Sequence, residues 1–442
     1  MSQKPRILVI AEAANPELTS VALIGYSLSQ ALRGVASVHL VTELRNNDCL
    51  LKAGLSTDDF TAIDNRAAQG LAFKVAKILR GGNSLGWTIY SAFANLAYPL
   101  FEKKIWQQFG DSLKRGDYDL VHRITPLSPT SASPLAKHLA RINVPFVIGP
   151  LNGGIPWPDG FNHLRRAERE WLSYIRGLYK LTPGLKYTRR SAAAILLASR
   201  HTFNEVTDKD HALRSKAIYL PENAIDSERF PEAKPMPTSK EAKPLSVAFI
   251  GRLVPYKGAD IVLEAAASLI REGKLTVDII GDGDEMPRLK SIVAKEKIEA
   301  GVDLPGWVPH EKLGERLSEA DIFAFPSVRE FGGGVVLEAM ALGLCPIVAD
   351  YGGPAELIPE GCGFKLPMGN RENLLRGLNQ QLATLCDQPD KVNQIGARAM
   401  RFARENFTWE AKASQIRAVY DWVLSGGDKP DWGMPFKLSQ CA

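Results

Sequence analysis

Two doubly wound, parallel-sheet α/β domains are what three features of this sequence predict. The chain opens on a β-α-β pattern: an apolar run Arg6-Ile-Leu-Val-Ile10, a helical stretch from about Val21 to Leu32, and a second run Val38-His-Leu-Val-Thr42. The pattern restarts at Leu245, after a stretch (231–244) rich in proline and lysine and without apolar period. From Asp321 a strand, a glycine loop, a helix and a further strand follow without interruption. The expected divisions are a first domain over 1–230, a linker over 231–244, a second domain over 245–408, a terminal helix over 409–425 and a turn-rich tail over 426–442.

Composition fits this plan. A length of 442 residues accommodates two ordinary domains, and 45% hydrophobic with 23% charged residues marks both as globular. The net charge of +5 permits anionic partners, and no aromatic interleaving or motif points to nucleic acid. Cysteines 49, 345, 362, 386 and 441 are scattered and form no C-x-x-C pair, so they read as free thiols in a reducing compartment. Polar Ser2-Gln-Lys-Pro5 runs straight into a strand, which reads as no signal peptide and a cytoplasmic location.

In the first half, the loop Asn15–Ser20 lacks a G-x-G-x-x-G fingerprint, so no dinucleotide cofactor is indicated. Residues 81–101 carry no charge but are too polar for a membrane span. Trp87, Tyr90, Ala94, Ala97 and Phe101, continued by Ile105 and Phe109, fall on one helix face, either core-facing or lying on a membrane surface. Asp119-Leu-Val-His122 is expected to end a strand, and Val144–Ile148 to end another before Gly149-Pro-Leu-Asn-Gly-Gly154. His122 would then be a general acid or base, or a hydrogen-bonded wall residue. Residues 161–190 hold eight Lys or Arg against Glu168 and Glu170, either a solvated helical surface or a landing patch for anionic lipid or a pyrophosphate-linked acceptor.

In the second half, Ser246–Ile250 leads into Gly251-Arg-Leu-Val-Pro-Tyr-Lys-Gly258, where Arg252 and Lys257 can converge on a diphosphate. Strand Asp321–Phe325 stops at Pro326, and Gly332, Gly333 and Gly334 precede a helix whose first N–H groups, through Val335, face an anion. Glu330 and Glu338 bracket that anion site. An ionised carboxylate only accepts hydrogen bonds, so the pair suits a ligand that carries hydroxyls beside its phosphates, as a sugar nucleotide does.

With seven residues between them in this setting, Glu330 and Glu338 resemble the E-x7-E signature of retaining glycosyltransferases of family 4, which have the GT-B fold. The resemblance is strong over the second domain and weak over the first. It implies two Rossmann-like domains facing across a cleft, acceptor on the first and donor on the second, with the terminal helix crossing back. Glu330 is then expected at the donor hexose, Glu338 at the ribose, and Arg252 and Lys257 at the diphosphate. Gly251, Gly281, Asp282 and Val308 would line the donor pocket, and Pro221–Phe230 resembles the family's hinge segment, with Ala224 in place of its glycine. Gly149, Asn152, Gly153 and Gly154 resemble a subgroup's Gly-Pro-x-Gly-Gly loop on the acceptor side, where many members have a histidine. The implied reaction is transfer of a hexose from a nucleoside-diphosphate sugar to a hydroxyl acceptor, a lipid-linked or glycan one, with retained configuration and no metal, in surface polysaccharide or glycolipid assembly. The protein is expected in the cytoplasm, peripheral on the inner face of the membrane through residues 161–190.

Three rivals stay open. One is a sugar-nucleotide epimerase or hydrolase on the same fold, and another a non-catalytic sugar-nucleotide-binding subunit. The third reads Asp282-Gly-Asp284 as the D-x-D metal motif of the GT-A fold, against an ordinary turn.

Overall fold

The structure, a computed structural model, describes residues 4–66, 87–167, 184–208, 210–231 and 243–433. Most of the linker and of the basic stretch, and the side chains of Trp87, Tyr90 and Ala94, lie outside the described residues. The chain forms two compact units. The first comprises Met1–Gly154, Arg166–Glu222 and Trp409–Trp432; the second comprises Ile155–Arg165, Asn223–Thr408 and Gly433–Ala442.

The first unit holds a parallel sheet of β1 (Arg6–Ala11), β2 (Ser37–Glu43), β3 (Phe60–Ile63), β4 (Leu120–Thr125), β5 (Phe146–Leu151), β6 (Ala194–Leu197) and β7 (Ala217–Tyr219), in the order β3-β2-β1-β4-β5-β6-β7. The second holds β8 (Leu245–Ile250), β9 (Leu275–Ile280), β10 (Val302–Gly306), β11 (Ile322–Phe325), β12 (Cys345–Ala349) and β13 (Phe364–Leu366), in the order β10-β9-β8-β11-β12-β13. Central strands such as β4, β6, β11 and β12 are buried along their whole length, so their side chains are enclosed on both faces, as a parallel sheet covered by helices requires. In each order the chain reverses direction across the sheet, at β1/β4 and at β8/β11. That is the topological switch point, where the loops leaving two neighbouring strands part and open a crevice.

The helix Trp409–Ser425 buries Ala413, Ile416, Val419 and Tyr420 in the core of the first unit, together with Leu28 and Leu32 of the helix Val21–Arg33. The helix Trp87–Arg115 buries Ala97, Phe101, Ile105 and Phe109, so this part of the uncharged stretch faces protein interior and not a membrane surface. Among the described residues no helix is long and apolar enough to cross a membrane.

Three sequence expectations are corrected. The passage from first to second unit falls at Glu222/Asn223, ahead of 230, and Ile155–Arg165 belongs to the second unit. There Trp157 packs edge-on against Tyr256 at 5.9 Å, and the Tyr351 hydroxyl donates to the Pro156 carbonyl at 2.7 Å. Strand β5 does not end at Ile148 but runs through Gly149 and Pro150 to Leu151. It can do so because Gly149, at φ 113°, lies against the neighbouring strand, where a Cβ would collide with the Leu196 carbonyl.

Strand β4 likewise continues past His122 to Thr125, whose Oγ1 accepts from the Ala13 N–H at 3.2 Å. His122 is therefore mid-strand and wholly buried, not at a strand end. The Gly149 carbonyl can only accept, so Nε2 carries the proton and donates to it at 2.8 Å, while Nδ1 accepts from the Tyr420 hydroxyl at 2.6 Å. Burial, reinforced by the nearby Arg123 charge, pushes its pKa down from 6.5 to about 4, against the opposing Gly149 hydrogen bond. The structure gives this histidine the role of a hydrogen-bonded wall.

Two outcomes follow. Gly149→Ala should lower stability by roughly 2–4 kcal/mol through backbone collision and a strained φ, read as an earlier urea midpoint. Between its unfolded pKa near 6.5 and its folded value of about 4, His122 takes up a proton only when the chain unfolds, so its contribution to stability is lost as pH falls through that window. The loss should total about 3 kcal/mol, and His122→Gln should flatten this part of the stability–pH curve.

Candidate active site at the second switch point

At the carboxyl ends of β8 and β11 two loops cross. Gly258, at φ 78°, starts the helix Ala259–Arg271, and a Cβ there would stand 3.0 Å from the Pro326 ring. The Val328 N–H donates to the Tyr256 carbonyl at 2.9 Å and ties the loops together. Between them the Lys257 ammonium donates to Glu330 Oε2, with 13% and 22% of the two side chains exposed. The same ammonium stands 5.1 Å from the centroid of the Phe325 ring, the last residue of β11. Arg252 is exposed and donates to the Tyr256 hydroxyl at 2.9 Å. An amphiphilic wall stands beside the loop, where the Arg329 guanidinium lies between the rings of Trp157 (4.8 Å) and Phe331 (5.5 Å).

The glycine loop is as constrained as its sequence suggests. Gly333 caps the helix Gly334–Ala341 in the left-handed conformation, φ 68°, and a Cβ there would lie 3.1 Å from the Pro354 ring. Gly352 and Gly353 press on the Glu330 and Phe331 carbonyls with no room for side chains. The first amides of the helix, on Gly334 and Val335, have no intrahelical carbonyl within reach, and the positive end of the helix dipole lies there. Gly332 leads into this turn and Glu338 sits one turn along the helix.

Glu338 is 15% exposed in its side chain. Its Oε1 meets His310 Nε2 at 3.1 Å, and its Oε2 is buried with no hydrogen-bond partner. A buried carboxylate oxygen that accepts nothing is costly, and it marks a place where a ligand hydroxyl would be favoured.

The remaining predicted donor-side residues fall around the same strand ends. Gly281, at φ 146°, donates to the Gly306 carbonyl, and a Cβ there would collide with the Gly251 carbonyl, so β8, β9 and β10 end in close backbone contact. Val308 is half-buried beside Trp307, which is 71% exposed. Asp282 Oδ1 accepts from the Gly283 N–H at 2.8 Å, a local turn contact. Among the described residues no three acidic, histidine or cysteine side chains are grouped to hold a metal ion.

In the first unit, the predicted loop runs from a buried start at Gly149 and Asn152 to an exposed end at Gly154. Asn152, 8% exposed, donates to Glu222 Oε1 at 2.7 Å, and its Oδ1 accepts from the Gly153 N–H at 2.8 Å. Gly153 lies against the Pro129 ring, and Gly154 against the Glu205 carboxylate. His122, Gly149 and Asn152 are buried in that unit, whereas Gly153 is half-buried and Gly154 exposed.

Sequence reasoning missed His310, Tyr256, Trp157, Arg329 and Asn223, whose side-chain oxygen lies 3.2 Å from where a Gly334 Cβ would stand. Pro309 before His310 marks a helix start, a signal that places the residue without revealing its partner.

The family described as "Glycosyl transferases group 1" matches residues 232–399. The D-inositol 3-phosphate glycosyltransferase of Corynebacterium efficiens is 32% identical over 226 residues, 50% of this chain and 51% of that relative, so the chain spans about half its length. The alpha-maltose-1-phosphate synthase of Mycolicibacterium smegmatis is 26% identical over 306 residues, 65% of this chain and 76% of the relative. Among solved structures, Anabaena Alr3699/HepE in complex with UDP superposes with a TM-score of 0.62 at 18% identity, covering 94% of this chain and 99% of that one. The chain therefore has the fold of the GT-B glycosyltransferases, two Rossmann-like parallel-sheet domains, and over residues 232–399 is similar to glycosyl transferases group 1.

Proposed function

We propose that the chain is a retaining glycosyltransferase of the family-4 type, moving a hexose from a nucleoside-diphosphate sugar to a hydroxyl acceptor. The observation that carries this reading is the Lys257–Glu330 pair at the crossing of the two switch-point loops, beside a glycine-capped helix start. A diphosphate arriving there would take over the Lys257 ammonium, with Arg252 and the amides of Gly333 to Val335 sharing its charge. Glu330, released, would accept hydroxyls of the hexose, and the open Oε2 of Glu338 a ribose hydroxyl.

In the transfer, the bond from the anomeric carbon to the diphosphate oxygen breaks and the bond to the acceptor oxygen forms on the same face. The acceptor proton passes to the departing phosphate. The bases stabilise charge as it develops on the leaving group, the task a metal ion performs in other designs, so the proposed reaction proceeds in chelator. UDP, seen in the Anabaena structure, is the first nucleotide to try. Relatives named for inositol phosphate, maltose phosphate and colanic acid synthesis support a polysaccharide or glycolipid setting, with a lipid-linked or glycan acceptor. Work at the inner membrane face is proposed on the charge of residues 161–190 alone.

Calorimetry with UDP-, GDP- and ADP-sugars tests the reading. One donor should bind. Lys257→Ala should weaken both the donor and its free nucleoside diphosphate by about tenfold or more. Glu330→Ala should weaken the donor yet leave the free nucleotide bound at least as well, because Lys257 loses its competitor. Both variants should fold and lack turnover. No binding by any donor would overturn the assignment, and full-rate nucleotide release without acceptor would favour a hydrolase.

A further inference from the structure

The two carboxylates of the site are held differently. Glu330 faces a lysine, whereas Glu338 faces a histidine that is itself held from behind. Arg229 Nη1 stands 3.0 Å from His310 Nδ1. A guanidinium has donors only, so Nδ1 must be the acceptor and the ring proton must sit on Nε2. His310 is thereby fixed as a donor toward Glu338 Oε1 at 3.1 Å. Arg229 is oriented in turn by Asp226, whose Oδ2 lies 3.3 Å from its Nε and whose Oδ1 accepts the Glu228 and Arg229 backbone N–H groups.

Packing supports this chain from both sides. The Phe230 ring, fully buried, meets the His310 ring edge-on at 5.7 Å. The helix His310–Leu317 lies so close to the Arg229 carbonyl that a Cβ at Gly314 would strike it. Arg404 donates to the Phe230 carbonyl at 2.9 Å and to the Ala341 carbonyl at 2.8 Å, which joins the Arg229 segment to the end of the helix that bears Glu338.

We propose that Asp226, Arg229 and His310 form a positioning chain that occupies one oxygen of Glu338 and presents the other, Oε2, to a hydroxyl of the bound nucleotide. The chain makes the site selective for nucleotides with an intact ribose, since a sugar lacking its hydroxyls leaves Oε2 buried and unmatched. The identity of the ligand rests on the glycosyltransferase reading above; the chain and its fixed tautomer do not. His310 touches no reacting atom and is a positioning residue.

The test has two arms. In the free protein, isotope-edited NMR of the ring nitrogens should show His310 as the Nε2–H tautomer, and Arg229→Ala should release it to a mixture. A tautomeric mixture in the wild type would overturn the proposal whether or not any nucleotide binds. The second arm compares UDP with its analogue lacking the ribose hydroxyls. His310→Phe should lose about tenfold in affinity for UDP and little for the analogue. His310→Gln, whose amide can accept from Arg229 and donate to Glu338, should stay within about threefold of wild type for both. Equal losses for UDP and analogue would reduce His310 to a packing residue and sink the selectivity. Failure of the wild type to bind any nucleotide, with the tautomer as expected, would overturn the ligand assignment and leave the chain standing.

Discussion

Everything at the candidate site depends on bringing an ammonium and a carboxylate together where both are mostly shielded from water. Such a pair gains Coulomb energy in a low dielectric but gives up hydration, and isolated burial of either charge would be costly. Lys257 and Glu330 meet only because Gly258 lets its loop run close to Pro326 and because the Tyr256 carbonyl holds Val328. The Phe325 ring beneath the ammonium recovers part of the lost hydration. In the proposed reading a diphosphate would take the place of Glu330 on Lys257, and the resting contact would become a binding site.

The glycines serve the same end by different means. Gly333 supplies a left-handed turn, Gly352 and Gly353 remove side chains facing the Glu330 and Phe331 carbonyls, and Gly281 lets strand ends meet backbone to backbone. Each would be strained or blocked with any other residue, so the loop's shape is built into covalent geometry and not left to side-chain contacts.

What could be read from the sequence follows from distance along the chain. The strand–glycine–helix block was legible because its turn chemistry is local, and Arg252, Lys257, Glu330 and Glu338 stood out by their resemblance to a known family's motifs. His310 lies 28 residues from Glu338, and Arg229 lies 81 from His310, so no pattern announced either contact. The strand ends at His122 and Ile148 were misjudged for a related reason. Arg123 and Gly149-Pro150 look like breakers, yet Arg123 is buried with Nη1 donating to the Ser131 carbonyl, and Gly149 is in the strand because Leu196 of a distant segment lies against it. Local chemistry suggested loops, and tertiary packing overrode it.

The division of the chain between units bears on the order in which a ribosome could finish them. Ala413, Ile416, Val419 and Tyr420 are made long after Ile7 and Val9, yet they sit in the same core. Asn223–Thr408 of the second unit is synthesised in between, and its segment Ile155–Arg165 emerges still earlier, before its sheet exists. An apolar face of the helix Val21–Arg33 therefore stays uncovered by its later partner helix while residues 223–408 are made, the kind of exposed surface that favours misassembly.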